Sequence, residues 1–371
     1  MKGLHGIIFS YEKENGLREL IENRVHGSVP FGGDYRIIDF ILSSMVNAGI
    51  TDVGVIMHGK CQSLLDHLGS GKSWDLSRNF GGLTLLPAFA YNERSHGDGQ
   101  FRGRVEALYS VMNYLKSIRQ DYVVLMEGDL VANLPLTDIF EHHLRTHADI
   151  TAVCGDDSFA TENGTYFEKE PDGRIREVLI NMHRPRGYRS LDVFIMSTEL
   201  LRSLVDECQA RDQYSFRRDV LQAKQNLLNL QSYTFSGFAA QIRSVQEYYD
   251  RSMQLLDRDI RADLFTPERP VRAKGADKAS TYIGPDGACL NSLVAEGCRI
   301  EGTVVNSILF PGVTVEKGAE VQGCILFKGT AIWQGARASH IITDKNVELL
   351  PGRTMMGHAS YPIVIAKGSV I

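Results

Sequence analysis

The chain has 371 residues, 43% of them hydrophobic and 23% charged, which is long enough for two globular domains. Its net charge of −5 and isoelectric point near 6.1 argue against nucleic acid as a partner, and no apolar run approaches the ~20 residues that span a membrane. The six cysteines form no Cys-x-x-Cys pair and the first residues carry no secretory apolar stretch, so we expect a cytoplasmic protein with free thiols.

The chain opens with a strand–turn–helix pattern of the kind that carries phosphate loops in α/β proteins. Leu4 to Phe9 is an apolar run typical of a buried strand, and Leu17 to Ile21 has helical spacing. The turn between them, Ser10 to Gly16, has a single glycine at its far end. A phosphate loop needs glycines so that backbone N–H groups can approach the anion. The turn therefore has the position of a nucleotide site without its chemistry.

Residues 1–255 alternate strand-like and helix-like segments, which predicts an α/β domain with a mostly parallel sheet between two layers of helices. The predicted strands are 53–57, 83–86, 122–126 and 150–154, the predicted helices are 61–68, 105–118 and 139–147, and 210–255 has a helical amphipathic pattern. His142, His143 and His147 lie on one of these helices. Two histidines spaced i, i+4 can hold a metal, but the zincin glutamate is missing, so we interpret them as a solvated helix face.

A change of pattern follows the α/β part of the chain. Residues 256–280 combine prolines, a glycine and dense charge, as in a linker. Residues 281–371 then repeat glycine at a spacing near six, at positions 297, 302, 312, 318, 323, 329 and 335. This period is typical of a hexapeptide β-helix, in which each six-residue unit forms a short strand and a turn. An irregular β-rich domain is the alternative reading.

One stretch carries a family resemblance. Pro30-Phe-Gly-Gly-Asp-Tyr-Arg-Ile-Ile-Asp-Phe40, with Leu42-Ser43 and Asn47-Ala-Gly-Ile50, resembles the Phe-Gly-Gly-x-x-Arg-Ile-Ile-Asp-Phe motif of the ADP-glucose pyrophosphorylase (glucose-1-phosphate adenylyltransferase) family. Further similar segments are Arg102-Gly103, Glu127-Gly-Asp129 and Leu290-Asn-Ser-Leu-Val294. The resemblance implies a Rossmann-like nucleotidyltransferase domain (1–255), a linker (256–280), a left-handed β-helix domain (281–371) and a tetramer. It also implies a place in glycogen synthesis from ATP and glucose 1-phosphate.

The same resemblance shows departures at the catalytic positions. The loop glycines of the family are replaced by Tyr11, Glu12 and Glu14, and the loop arginine by Gly16. The lysine that holds the sugar phosphate in the family falls near Asn181, where no lysine stands. Of the two carboxylates that hold Mg²⁺ in the family, the first matches Asp129 and the second is replaced by Gln241. We therefore expect no catalytic residue, no metal site and no well-bound Mg²⁺ or other cofactor.

These departures favour a regulatory, largely non-catalytic subunit of ADP-glucose pyrophosphorylase, similar to the GlgD-type subunit of the family. Such a subunit would form a tetramer with a catalytic homologue and modulate it by allostery. The alternative is an active sugar-nucleotide pyrophosphorylase with an unusual site, since any single replacement could be tolerated. A hexapeptide-repeat acyltransferase with His340 or His358 as base is a third reading, which leaves the α/β domain unexplained.

Two further sets of residues match binding positions of the family. Arg24 and Arg36 match basic positions at an effector pocket between the domains, where guanidinium groups would suit a sugar-phosphate effector. Arg36 could instead pair locally with an aspartate. Gly103, Gly164 and Ser190 match positions of the sugar-phosphate pocket, either as a vestigial pocket or as plain turn residues.

Overall fold

The first domain of the computed structural model is built around a nine-stranded sheet. The structure describes residues 3–11, 16–87, 101–155, 164–184, 186–275 and 279–371. The strands of this domain are β1 Leu4–Tyr11, β2 Pro30–Phe31, β3 Tyr35–Arg36, β4 Asp52–His58, β5 Gly82–Pro87, β6 Tyr122–Glu127, β7 Leu130–Ala132, β8 Ile150–Gly155, β9 Thr165–Lys169, β10 Ile175–Ile180, β11 Tyr188–Ser197, β12 Leu230–Phe235 and β13 Ala239–Gln241. The helices are α1 Ile37–Asn47, α2 Gln62–Leu68, α3 Arg104–Ser110, α4 Met112–Ser117, α5 Leu136–Arg145, α6 Thr198–Ala210, α7 Val245–Gln254 and α8 Arg258–Leu264.

Strand β1 lies at the centre of the sheet, hydrogen-bonded in parallel to β4 and β6. Beyond β6, strand β11 runs antiparallel to β6 and to β8, and β12 is parallel to β8. Successive side chains of β1 point to opposite faces. Ile7 and Phe9 join the core under α3, α4 and α6, whereas Ile8 joins the core under α1, α2 and α5. The predicted α/β class, with helices on both faces, is confirmed.

Three local predictions differ from the structure. The helix expected over 105–118 is divided at Val111, whose φ of −113° separates α3 from α4. The helical spacing after residue 16 forms one 3₁₀ turn, Arg18–Ile21. The helical prediction for 210–255 is wrong in its middle, where a π-helical stretch, Phe216–Gln222, is followed by β12 and β13. Strand β12 exists because it pairs with β8, a long-range contact that the local apolar pattern does not carry.

The second domain is a parallel β-helix of three five-stranded sheets, as predicted. Its strands are β14 Tyr282–Ile283, β15 Ala288–Leu290, β16 Leu293–Val294, β17 Arg299–Ile300, β18 Thr303–Val305, β19 Ile308–Leu309, β20 Thr314–Val315, β21 Glu320–Gln322, β22 Ile325–Leu326, β23 Ala331–Ile332, β24 Arg337–Ser339, β25 Ile341–Thr343, β26 Glu348–Leu349, β27 Thr354–Met356 and β28 Ile363–Ile365. Left-handed backbone conformations recur at the corners of successive coils. One corner has Gly297, Gly312 and Gly329 at φ of 76°, 74° and 73°, and Asn346 takes the same place at 58°. The glycine period thus marks the corners.

The two domains share one apolar cluster. Side chains of α7, including Tyr248 and Tyr249, pack with Phe310 and Phe327 of the β-helix. The Tyr249 hydroxyl donates a hydrogen bond to the carbonyl oxygen of Gly323 at 2.7 Å. The stretch 256–280, predicted as a linker, contains α8. It is attached to the first domain, since the Trp74 indole donates a hydrogen bond to the Arg272 carbonyl oxygen at 3.1 Å.

All six cysteines are free thiols. Within the described ranges, no helix has the length and apolar character needed to cross a membrane. The interpretation of the α5 histidines as a solvated face is wrong for His143, which is buried and hydrogen-bonded through Nδ1 to the Thr151 hydroxyl at 2.8 Å. Because burial disfavours the imidazolium, the pKa of His143 falls from 6.5 to about 4. Burial lowers the pKa of His5, at the start of β1, to about 4 as well.

These two histidines predict acid sensitivity. Between pH 6.5 and about 4 the unfolded chain binds protons that the folded chain excludes. Stability therefore falls as the pH is lowered through this window, by about 1.4 kcal/mol per pH unit for each histidine. Thermal unfolding of His143→Gln should show a shallower pH dependence than the wild type. His147→Gln, at an exposed position just after α5, should keep the original slope. Equal slopes in all three proteins would contradict the contribution of His143 to the pH dependence of stability.

Candidate functional site

A cavity of about 570 Å³ opens at the carboxyl ends of β1 and β6. This edge of a parallel sheet is where α/β proteins bind ligands. The wall combines aromatic, acidic and guanidinium side chains. It is formed by Tyr11, Gly16, His26, Phe101, Arg102, Gly103, Arg104, Glu127, Asp129, Ile180, Asn181, Ser215, Phe216, Arg217, Arg218 and Arg243.

Tyr11 fills the place where β1 ends. Its buried ring packs edge-on against Phe101 at a centroid distance of 5.3 Å and against Phe9 at 6.3 Å. Burial, together with the nearby Glu127 carboxylate, raises the pKa of the phenol, which stays neutral. Glu12 and Glu14 lie outside the described residues. The described end of the turn is therefore a packed aromatic side chain, where a phosphate loop would have a glycine.

Gly16 is held close to the chain that follows β13. Its carbonyl oxygen accepts a hydrogen bond from the Val245 N–H at 3.2 Å. A Cβ at position 16 would collide with the backbone carbonyl oxygen of Arg243. The arginine that the family resemblance places at this position therefore has no room here.

The structure brings Asp129 and Gln241 together, because β13 pairs antiparallel with β7 and sets Gln241 opposite Leu130. Both side chains are hydrogen-bonded to groups of the same chain. The Oδ2 atom of Asp129 accepts a hydrogen bond from Nε of Arg243 at 3.0 Å. The Gln241 amide donates to Oδ2 of Asp192 at 3.2 Å.

Asp192, which the sequence reasoning did not single out, is the centre of a buried ion network. Its Oδ2 atom also accepts from Nη2 of Arg243 at 2.7 Å and from Nη2 of Arg217 at 3.2 Å. Arg104 lies 3.3 Å from the other carboxylate oxygen, and its Nε donates to Oε1 of Glu127 at 2.6 Å. Three carboxylates thus meet three guanidinium groups inside the cleft.

The guanidinium groups of Arg104 and Arg243 stay charged. Burial opposes the charged forms of Arg104 and Arg243, but the adjacent carboxylates outweigh burial and raise the pKa of both groups. For Arg104 these carboxylates are Glu127 and Asp192; for Arg243 they are Asp129 and Asp192.

The donor set does not fit the divalent ion of the family. Mg²⁺ prefers carboxylate and water oxygens, whereas the Asp129 carboxylate is bound by a guanidinium and position 241 carries an amide. Within the described ranges, no group of three or more His, Cys, Asp or Glu side chains is arranged to hold a metal.

The three residues predicted for a vestigial sugar-phosphate pocket take different places. Gly103 lines the cavity, and a Cβ there would collide with the carbonyl oxygen of Tyr214. Gly164 lies behind the wall, where its carbonyl accepts from the N–H of Asn181 at 3.0 Å. Ser190 is buried, and its hydroxyl accepts from the N–H of Asp192 at 3.1 Å.

The two predicted effector residues lie at the junction of the domains. Arg24 is buried and its Nη2 atom contacts both oxygens of Asp344, in the β-helix, at 2.8 and 2.7 Å. Arg36 donates to the carbonyl oxygen and hydroxyl of Ser63 at 2.7 and 3.1 Å. Lys345 follows Asp344. Burial, then the nearby charges of Arg36 and Arg24, lower the pKa of Lys345 to about 8.

One substitution tests whether the missing carboxylate at position 241 is enough to explain an inactive cleft. Gln241→Asp restores the carboxylate that the family resemblance leads one to expect. We expect no ADP-glucose formation from ATP and glucose 1-phosphate, because Arg243 still covers Asp129 and no lysine stands near position 181. A chromatographic assay of purified protein measures this, with Gln246→Asp, on the exposed side of α7, as the matched control. Turnover by Gln241→Asp alone would show that position 241 was the sole defect.

The fold and the cleft define a nucleotidyltransferase-type α/β domain fused to a hexapeptide β-helix. Two family models support both halves: the nucleotidyl transferase model matches residues 15–179, and the GlmU-like C-terminal hexapeptide model matches residues 276–360.

Relatives match over nearly the whole chain. The glycogen biosynthesis protein GlgD of Bacillus subtilis is 32% identical over 365 residues, covering 98% of this chain and 96% of that protein. GlgD of Geobacillus stearothermophilus is 34% identical over 369 residues, with the same shares. The glucose-1-phosphate adenylyltransferase of Geobacillus stearothermophilus is 31% identical over 316 residues, 82% of this chain and 80% of that enzyme. The chain belongs to the family that contains these GlgD proteins and the glucose-1-phosphate adenylyltransferases, as the sequence resemblance predicted.

Proposed function

We propose that this chain is a regulatory, largely non-catalytic subunit of ADP-glucose pyrophosphorylase. In this proposal it acts in glycogen synthesis, in a cytoplasmic tetramer with a catalytic homologue that makes ADP-glucose from ATP and glucose 1-phosphate. The observation that carries the proposal is that Arg243 binds the Asp129 carboxylate and that position 241 carries an amide in place of a second carboxylate.

The chemistry of the reaction explains why this observation matters. A sugar phosphate that attacks the α-phosphate of ATP brings two anions together, which normally needs a divalent cation to balance the charge. The cleft has no arrangement of carboxylates able to hold that cation among its described residues. Tyr11 occupies the end of β1, where a phosphate loop would need glycine. Both observations support a chain with little or no activity of its own.

The rest of the molecule supports a regulatory role. The shared apolar cluster joins the α/β domain to the β-helix and gives the two domains a packed contact through which they can be coupled. Allostery requires such a coupled element, whose equilibrium is biased by binding at a second place. The names of two full-length relatives, both glycogen biosynthesis proteins, support the assignment to that process.

The basic residues of the junction support an anionic effector, in the class of sugar phosphates. Arg36 and Lys345 add positive charge beside the Arg24–Asp344 pair. Since the pKa of Lys345 is about 8, the ammonium is charged below this pH and neutral above it.

Effector affinity should fall as the pH rises through 8. Lys345→Met should weaken the pH dependence, and Lys317→Met, at an exposed β-helix position, should not.

Co-expression with the catalytic homologue tests the proposal. We expect the two chains to copurify, to show the native mass of a mixed tetramer, and to give a substrate affinity or effector response that the homologue lacks alone. Two chains that purify separately, or unchanged kinetics in a mixed complex, would contradict the proposal.

A further inference from the structure

The positive charge between two acidic residues of this cleft is supplied by an arginine of the chain itself. The guanidinium of Arg243 directs Nε to Oδ2 of Asp129 at 3.0 Å and Nη2 to Oδ2 of Asp192 at 2.7 Å. Both carboxylates are almost completely buried, whereas the side chain of Arg243 keeps about a quarter of its surface exposed toward the cavity. One fixed positive charge therefore bridges two buried negative ones.

The backbone fixes Arg243 in this position from two sides. The N–H of Ile242 donates to the carbonyl oxygen of Asp129 at 2.8 Å, so the residue before Arg243 is tied to the residue that Arg243 binds. The N–H of Arg243 donates to Oε2 of Glu247 at 2.9 Å, at the first turn of α7. The planar guanidinium is well suited to two carboxylates because its donors lie in a fixed fork.

Asp192 reaches the same point through an irregular stretch of β11. The pairing of β11 with β8 shifts in register between Ser190 and Val193. Asp192 itself has a φ of 57°, in the left-handed region that side-chain-bearing residues seldom adopt. Such a conformation costs free energy and persists where the surroundings determine it. A regular strand with an apolar side chain would avoid this cost, which indicates that the carboxylate has a role in the cleft.

We propose that Arg243 is a permanent internal cation that replaces a divalent metal ion, and that Asp192 is the second carboxylate of the pair it neutralises. Position 241, which the family resemblance assigns to the second carboxylate, only supports this pair, by donating its amide to Asp192. This inference concerns the charge balance of the cleft and stands whether or not the chain regulates a partner.

The inference predicts how the chain responds to divalent cations. The wild-type protein should bind no tight Mn²⁺ in an electron paramagnetic resonance titration, and Mn²⁺ should not change its melting temperature. Arg243→Met removes the guanidinium that bridges Asp129 and Asp192, while Arg104 and Arg217 remain beside Asp192. This variant should be less stable without metal, and Mn²⁺ should raise its melting temperature and bind at one site per chain.

Two further variants make the experiment decisive. Arg243→Lys keeps the charge and should remain indifferent to Mn²⁺. Arg218→Met, on the exposed rim of the same cavity, removes an arginine that lies outside the described ion network and should behave as the wild type. One tight Mn²⁺ site in the wild type would overturn the proposal. It would also be overturned if Arg243→Met folded without responding to Mn²⁺, or unfolded equally with and without it.

Discussion

Replacing Asp344 by asparagine should lower the stability of the chain by about 3–5 kcal/mol, the usual cost of removing one partner of a buried ion pair. Arg24 and Asp344 are 4% and 1% exposed, and Nη2 of Arg24 contacts both carboxylate oxygens. The variant would leave the Arg24 charge buried beside Lys345, whose pKa is already lowered by burial and by Arg36 and Arg24. Because the pair joins the two domains, the loss should appear as earlier unfolding of their junction.

Chemical denaturation and calorimetry both measure this loss of stability. The matched control is Asp286→Asn, which removes an ion pair with Lys317 that is largely exposed on the β-helix. Exposed pairs contribute about 0–1 kcal/mol, so the control should stay close to the wild type. Replacement of both Arg24 and Asp344 by apolar residues should cost less than Asp344→Asn, since no charge is then left unpaired. Equal effects of Asp344→Asn and Asp286→Asn would contradict the burial of the pair.

Arg104→Met should also destabilise the chain by about 3–5 kcal/mol, because it removes a buried guanidinium that pairs with two buried carboxylates. The guanidinium contacts Glu127 and Asp192, and lies over the rings of Phe9, Phe194 and Phe216 at 5.4, 5.4 and 5.6 Å. It therefore connects the acid cluster to the aromatic core beneath α3 and α6.

The control for this variant is Arg211→Met, whose exposed guanidinium pairs with Glu207 of α6 at 3.2 Å. Its effect should be within about 1 kcal/mol, in line with an exposed pair. Arg104→Lys should fall between the two, since lysine keeps the charge and loses the fork. Wild-type stability in Arg104→Met would show that the network does not depend on this arginine.

Much of the fold could be predicted from the sequence because its signals are local. The apolar runs at 53–57, 122–126 and 150–154 correspond to β4, β6 and β8, and the glycine period marks the corners of the β-helix. The break at Val111 and the strand β12 depend on packing and on pairing with β8, which no local pattern contains. Those are the places where the predicted elements differ from the structure.

The candidate site was predictable only in part. The motif positions led to Asp129 and Gln241, and the structure does bring these residues together. Asp192 and Arg243 were missed because their network with Asp129 joins three separate segments, the turn before β7, β11 and the turn after β13. One signal was available: Asp192 is an acidic residue inside the otherwise apolar run Leu191 to Met196, and a buried carboxylate needs a cationic or hydrogen-bonding partner.

The cleft lies at the sheet edge where α/β proteins bind ligands, and an ion network lies at its centre. The sheet edge, the cavity and the junction with the β-helix are present. Their acidic centre is neutralised by arginines of the same chain. This combination explains how a chain can resemble an enzyme along its length and still be expected to work through assembly.

The most direct test of the central claim is the activity of the purified chain alone, assayed with ATP, Mg²⁺ and glucose 1-phosphate. The account predicts ADP-glucose formation far below the ~1–10³ s⁻¹ typical of enzymes, with no gain when Mg²⁺ is raised. Sustained turnover within that range by the wild-type chain, free of any catalytic homologue, would contradict it.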